Sequence, residues 1–132
     1  MPRSWMLPLA ILGCSACMVG PTTRTFAPAA GPQGIGADLR LTGKSRRIQG
    51  EVLTVEDTVI VLLSANRVVL VPIRAIALGR FSRRGALIEN GRARQKTLSW
   101  LKLVSRFPAG LTPDIKAKLL AVNGQTEPDW AP

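Results

Sequence analysis

The only two thiols of the chain are Cys14 and Cys17, and histidine and tyrosine are absent. The spacing in "CSAC" is that of a dithiol redox pair or of half a zinc site. A redox CxxC works at a helix start beside a strand, whereas this one ends an apolar run and meets Gly20-Pro21. A structural zinc site needs four Cys or His ligands, and no later Cys or His completes one. The same shortage removes Ser-His and Cys-His nucleophile arrangements. Carboxylates remain: Asp38, Glu51, Glu56, Asp57, Glu89, Asp114, Glu127 and Asp129. Glu56 and Asp57 are neighbours in a predicted turn, Asp114 suits a helix start, and the last two sit in the tail. Glu51 with Glu89 is the pair left for general acid-base work, which requires environments that hold two pKa values apart. No glycine-rich phosphate loop is present. The expectation is a protein that is not an enzyme and uses no metal or cofactor.

The abundant chemistry is cationic. Lysine and arginine number 18 against 8 acids, a net charge of +10. Arg80, Arg83, Arg84, Arg92, Arg94 and Lys96 bracket a single acid, Glu89, and Lys44, Arg46 and Arg47 form a second group. Like charges at that density repel unless an anion is near. They are candidate anion-binding residues, the alternative being a solvated rim that keeps a small domain soluble.

Which anion is available depends on the first segment. Arg3 precedes an apolar run from Trp5 to Leu12, too short to cross a bilayer, which takes about 20 residues, and suited to a cleaved export signal. Ile11-Leu12-Gly13-Cys14-Ser15 resembles the lipobox of bacterial lipoprotein signal peptides. In that family the cysteine is acylated on sulfur and becomes the new N-terminus. The resemblance implies a signal over 1–13 and acylation at Cys14, with Cys17 after Ser15-Ala16 as the alternative. It also implies a cell-envelope location, lipid-anchored. Ser15 stands where an aspartate is associated with inner-membrane retention, so the anchor is expected in the outer membrane, facing the periplasm. Several acyl chains give a stable anchor, one only a reversible one.

These residues had to be held by something. Residues 14–37, rich in Pro, Gly, Ala and Thr, read as a tether. Short strands follow over 38–82: "DLRLT" alternates, "SRRIQGEVLTV" carries an interior glycine, and "VIVLLS" and "VVLVP" are apolar runs separated by "ANR". "IRAI" predicts a helical turn and "ALGRF" a fifth strand. Gly50 marks a bend in the second strand. The stretch "IQGEVLTVEDTVIVLLSANRVVLVPIRAI" looks like the SH3-like and Sm-like small barrels. The resemblance implies a mainly β fold, a five-stranded SH3-like barrel, followed by a helical hairpin.

That hairpin belongs to a basic segment over 83–124. Asn90-Gly91 predicts a tight turn. Trp100, Leu103, Val104 and Phe107 give an apolar stripe to a helix over 96–106, with Ser99, Lys102 and Arg106 toward solvent. In the second helix Thr112 is the cap, Pro113 the first position and Gly124 the stop, and Ile115, Leu119 and Val122 form the stripe. The two central strands are apolar on both faces, so both faces must be covered. Residues 125–132 are expected to be a loose tail. Phe81, Trp100 and Phe107 are assigned to the core rather than to a base-stacking platform.

The function expected is a membrane-anchored binding or scaffolding module. Its partners would be anionic lipid, lipopolysaccharide, peptidoglycan or another envelope protein, since export removes nucleic acid from reach. Without the lipobox the same barrel and charge suit a cytoplasmic Sm-like nucleic-acid binder, and an envelope hydrolase is the weakest alternative.

Overall fold

The computed structural model describes residues 34–82 and 84–132. Residues 1–33, which hold the segment expected to be a signal, Cys14, Cys17 and most of the expected tether, lie outside the described residues, as does Arg83. The order of elements is β1 (Gly36–Leu41), β2 (Arg47–Val55), β3 (Val59–Ser64), β4 (Arg67–Pro72), a 3-10 turn (Ile73–Ala75), β5 (Ile76–Phe81), β6 (Gly85–Glu89), α1 (Gln95–Val104), α2 (Pro113–Val122) and β7 (Asp129–Trp130). The fold is mainly β with two C-terminal helices. The strands form one sheet in the order β6-β5-β1-β2-β3-β4-β7.

Five strands fall where the sequence places them. Two more, β6 and β7, extend the sheet at its ends, and among the described residues these ends do not pair, so the expected five-stranded closed barrel is replaced by a seven-stranded open order. The physical reason lies in α1. Leu98, Trp100 and Leu101 pack on the cluster built from Leu39, Val52, Ile60, Leu62, Val71, Ile76 and Ile88, and cover apolar surface that strand closure would otherwise seal.

β2 is the pivot of the sheet. Residues Arg47 to Glu51 pair with β1, and Glu51 to Val55 pair with β3, so the strand changes partner at Gly50-Glu51. A Cβ on Gly50 would stand 2.4 Å from the Leu63 carbonyl oxygen, and only glycine admits so close a backbone approach. A register shift between Val52 and Thr54 follows immediately.

Both faces of β3 and β4 are covered, as their composition requires. Ile60, Leu62 and Val71 belong to the cluster under α1. Val61 and Val68 join Leu53 and Leu120 of α2 in a second cluster, flanked by Phe107, Leu111 and Leu119. The two helices therefore serve opposite faces. Their expected stripes are met in part: Trp100, Phe107 and Leu119 pack against the clusters, but the buried positions lie beside them. Leu101 and Leu120 are the buried helical residues, whereas Leu103 is 58% and Val122 85% exposed. Period alone could not tell which neighbouring position, Leu101 beside Trp100 or Leu120 beside Leu119, takes the buried place. The punctuation of α2 is as read: Thr112 Oγ1 accepts from the Ile115 amide at 3.3 Å, Pro113 opens the helix, and Gly124 follows its end at φ +66°.

The C-terminal residues, expected to be loose, are tied to β4. The buried Gln125 side chain imitates a strand: its Oε1 accepts from the Val68 amide at 2.7 Å, and its Nε2 donates to the Val68 carbonyl at 3.2 Å. Arg67 then grips Asp129 through both carboxylate oxygens. β7 pairs in parallel with Val69 and Leu70.

Candidate anion-binding surface

The β5–β6 connection and the entry to α1 bring part of the predicted basic set together. Arg84 follows the turn out of β5, its amide donating to the Phe81 carbonyl at 3.2 Å. Its guanidinium carbon lies 4.9 Å from the centre of the Trp100 ring, a cation–π contact that orients the planar fork. Across the gap, Arg94 is the N-cap of α1 in extended conformation. Its carbonyl accepts from the Thr97 and Leu98 amides at 2.9 and 3.1 Å, while no side chain caps the helix and no acid stands in its first turn.

Between β6 and α1 runs a cleft of ≈ 350 Å³ lined by Arg84, Leu87, Arg94, Lys96, Thr97 and Trp100. A larger depression of ≈ 850 Å³ adjoins it and adds Arg92 and the acid Glu89. Asn90 and Gly91, at φ +49° and +71°, make the predicted tight turn there, closed by a backbone bridge between Glu89 and Arg92. The hairpin is one bridge long because α1 starts at Gln95.

The other predicted cations lie elsewhere. Arg80 is on β5 opposite Asp38 of β1, and Arg40 faces Arg47 across β1 and β2. The three arginines share a small depression with Asp38 and Leu78. Arg47 pairs with Asp38 at 3.3 Å, so part of that charge is neutralised internally. Arg40 is the member that sequence reasoning missed: in "DLRLT" it is one polar position of an alternation, and only sheet register reveals its neighbours. Lys44 and Arg46 are exposed in the β1–β2 connection, and Arg83 lies outside the described residues. Of the predicted cations among the described residues, Arg84, Arg94 and Lys96 line the β6–α1 cleft and Arg92 the depression beside it, Arg47 and Arg80 share the depression on β1, β2 and β5, and Lys44 and Arg46 stand apart in the β1–β2 connection.

The candidate carboxylate pair is not assembled. Glu51 is engaged by Arg106, with contacts of 2.6 and 2.5 Å, and by the Gly34 amide. Glu89 is on β6, separated from β2 in the sheet by β5 and β1. Arg106, expected toward solvent, is part of this half-buried pair. Among the described residues no group of three or more acid, Cys or His side chains could hold a metal ion. Phe81 is buried, Phe107 packs in the second cluster, and Trp100 packs on the first while carrying Arg84.

Chemically, the β6–α1 cleft can accept an anion. Guanidinium groups form two parallel bonds with a phosphate or carboxylate, and Lys96 adds a compact charge. No protein-family model matches the chain, and comparison with curated proteins and with solved structures likewise returns no match.

Proposed function

We propose that the protein is a lipid-anchored module of the bacterial cell envelope, without enzymatic activity, that binds an anionic envelope partner through the β6–α1 cleft. The observation that carries this reading is the convergence of Arg84, Arg94 and Lys96 on one cleft whose lining holds no carboxylate. The resemblance of Ile11 to Ser15 to a lipobox supports acylation at Cys14, with Cys17 as the alternative, and outer-membrane placement. Anionic lipid, lipopolysaccharide phosphates and peptidoglycan carboxylates are then within reach, and each basic residue near such a surface is attracted by about 1 kcal/mol. For the architecture we favour an SH3-like arrangement of the inner strands β5-β1-β2-β3-β4, supported by the 3-10 turn between β4 and β5 and by the partner change in β2.

Two experiments test it. Labelling cells with a palmitate analogue should mark the protein, Cys14→Ser should abolish the label, and Cys17→Ser should not. Persistence of the label in Cys14→Ser and its loss in Cys17→Ser would move the anchor. Absence of label in the parent would remove the envelope reading. Binding to anionic vesicles, murein and RNA over a salt series should favour an envelope polymer, with Arg84→Glu plus Arg94→Glu abolishing it. Preference for RNA would reassign the cleft to nucleic acid.

A further inference from the structure

A second cleft, of ≈ 730 Å³, opens between the 3-10 turn, the entry to α1 and the C-terminal strand. We propose that it binds one amphiphilic anion, a molecule with a phosphate or carboxylate head and a short hydrocarbon body.

The lining separates into two chemistries. Ile73 is buried, and Val59 and Leu98 are half-buried, giving an apolar interior. Arg74 and Arg92 are exposed and lie at the same cleft. Their proximity is built in. The Gly91 amide donates to the Ile76 carbonyl at 2.7 Å, and a Cβ on Gly91 would stand 2.6 Å from the Arg74 carbonyl oxygen. The loop carrying Arg92 is therefore pressed against the turn carrying Arg74. Neither arginine has a carboxylate within salt-bridge distance among the described residues. Asp57 is the single acid in the lining, so the cleft keeps an excess of positive charge.

Trp130 completes it. The indole is 63% exposed although its backbone is fixed by β4 and by the Ala131 amide, which donates to Leu70 at 2.9 Å. An ordered, exposed tryptophan beside an apolar cleft offers area to a hydrocarbon and an N–H to a polar head. The volume falls within the range of small-molecule sites, about 300–1,000 Å³. The chain's own N-terminal segment is not the occupant that fits, because residues 1–33 carry Arg3 and Arg24 and no acid.

The test uses the full-length chain with Cys14→Ser and Cys17→Ser, titrated calorimetrically with dodecyl phosphate below its micellar concentration. Inorganic phosphate supplies the head alone, dodecyl maltoside the tail alone, and phosphatidylglycerol vesicles the same head class in a bilayer. One dodecyl phosphate should bind per chain, with each partial probe at least about tenfold weaker. Arg74→Glu and Trp130→Ala should each weaken binding by about tenfold or more, while Arg84→Glu, which lines only the β6–α1 cleft, leaves it unchanged. Failure of the β6–α1 reading would therefore not touch this one. Equal binding of inorganic phosphate, binding to vesicles only, or indifference to both substitutions would overturn the proposal. If Arg74→Glu lowers the melting temperature, Trp130→Ala, at an exposed side chain, decides alone.

Discussion

Arg106, just past the end of α1, donates Nε–H to Oε1 of Glu51 at 2.6 Å and Nη2–H to Oε2 at 2.5 Å, a two-bonded ion pair across 55 positions of sequence. The side chains are 24% and 15% exposed, and Glu51 also accepts from the Gly34 amide. Three segments meet at this carboxylate: the start of the described chain, the pivot of β2 and the exit from α1. Glu51→Gln should cost about 2 kcal/mol, less than the 3–5 of a fully buried pair broken on one side. A double-mutant cycle with Arg106→Gln, read by denaturant unfolding, should show the two losses to be strongly non-additive.

Acid should loosen the C-terminal strand first. Arg67's hydrogen bonds hold the Asp129 carboxyl below its ordinary range, and the carboxylate in turn raises Arg67. A depressed carboxyl stabilises the folded form at pH above its unfolded value of about 4, and that contribution disappears as pH falls through the folded value. Both groups are solvent-exposed, so the effect is local and screened by salt. The protection of the Ala131 amide, its exchange rate relative to the intrinsic rate at the same pH, should fall on acidification below that range, and Asp129→Asn should remove this pH dependence of protection.

The two faces of α2 predict opposite outcomes two residues apart. Leu120 is buried in the second cluster and Val122 is in water. Leu120→Ala should destabilise by about 2–3 kcal/mol, and Val122→Ala should stay within about 0.5 kcal/mol. Thermal melts of the pair would distinguish this face from the Ile115, Leu119, Val122 stripe.

Gly50→Ala should be costly although the residue lies in a strand. The new methyl would meet the Leu63 carbonyl at 2.4 Å, and that oxygen belongs to backbone that cannot rotate aside. A loss of about 2 kcal/mol or more is expected, measured as a lower denaturant midpoint with unchanged m-value.

Much of the fold is legible because its signals are local. The positions of β1 to β5, the 3-10 turn, the cap and stop of α2 and the Asn90-Gly91 turn each follow from a few adjacent residues. β6 and β7 are not legible. "GALIE" has no clean alternation, and "DW" is a strand only because Gln125 and the Arg67–Asp129 pair dock the tail on β4. The candidate site divides in the same way. A cluster of cations is visible in composition, but which of them share a cleft depends on register and on where α1 begins.

By itself the sequence determined the excess of positive charge, the absence of histidine and tyrosine, and strands apolar enough to need cover on both faces. Tertiary structure alone decided that α1 and α2 take opposite faces, that Arg106 turns inward to Glu51, and that Arg84 and Arg94 separate from Arg80 and Arg47. The physical reason is the range of the determining forces. Backbone propensity and charge count act over a few residues, whereas ion pairing, helix rotation and edge pairing are chosen by which distant surfaces bury the most apolar area while leaving polar groups partnered.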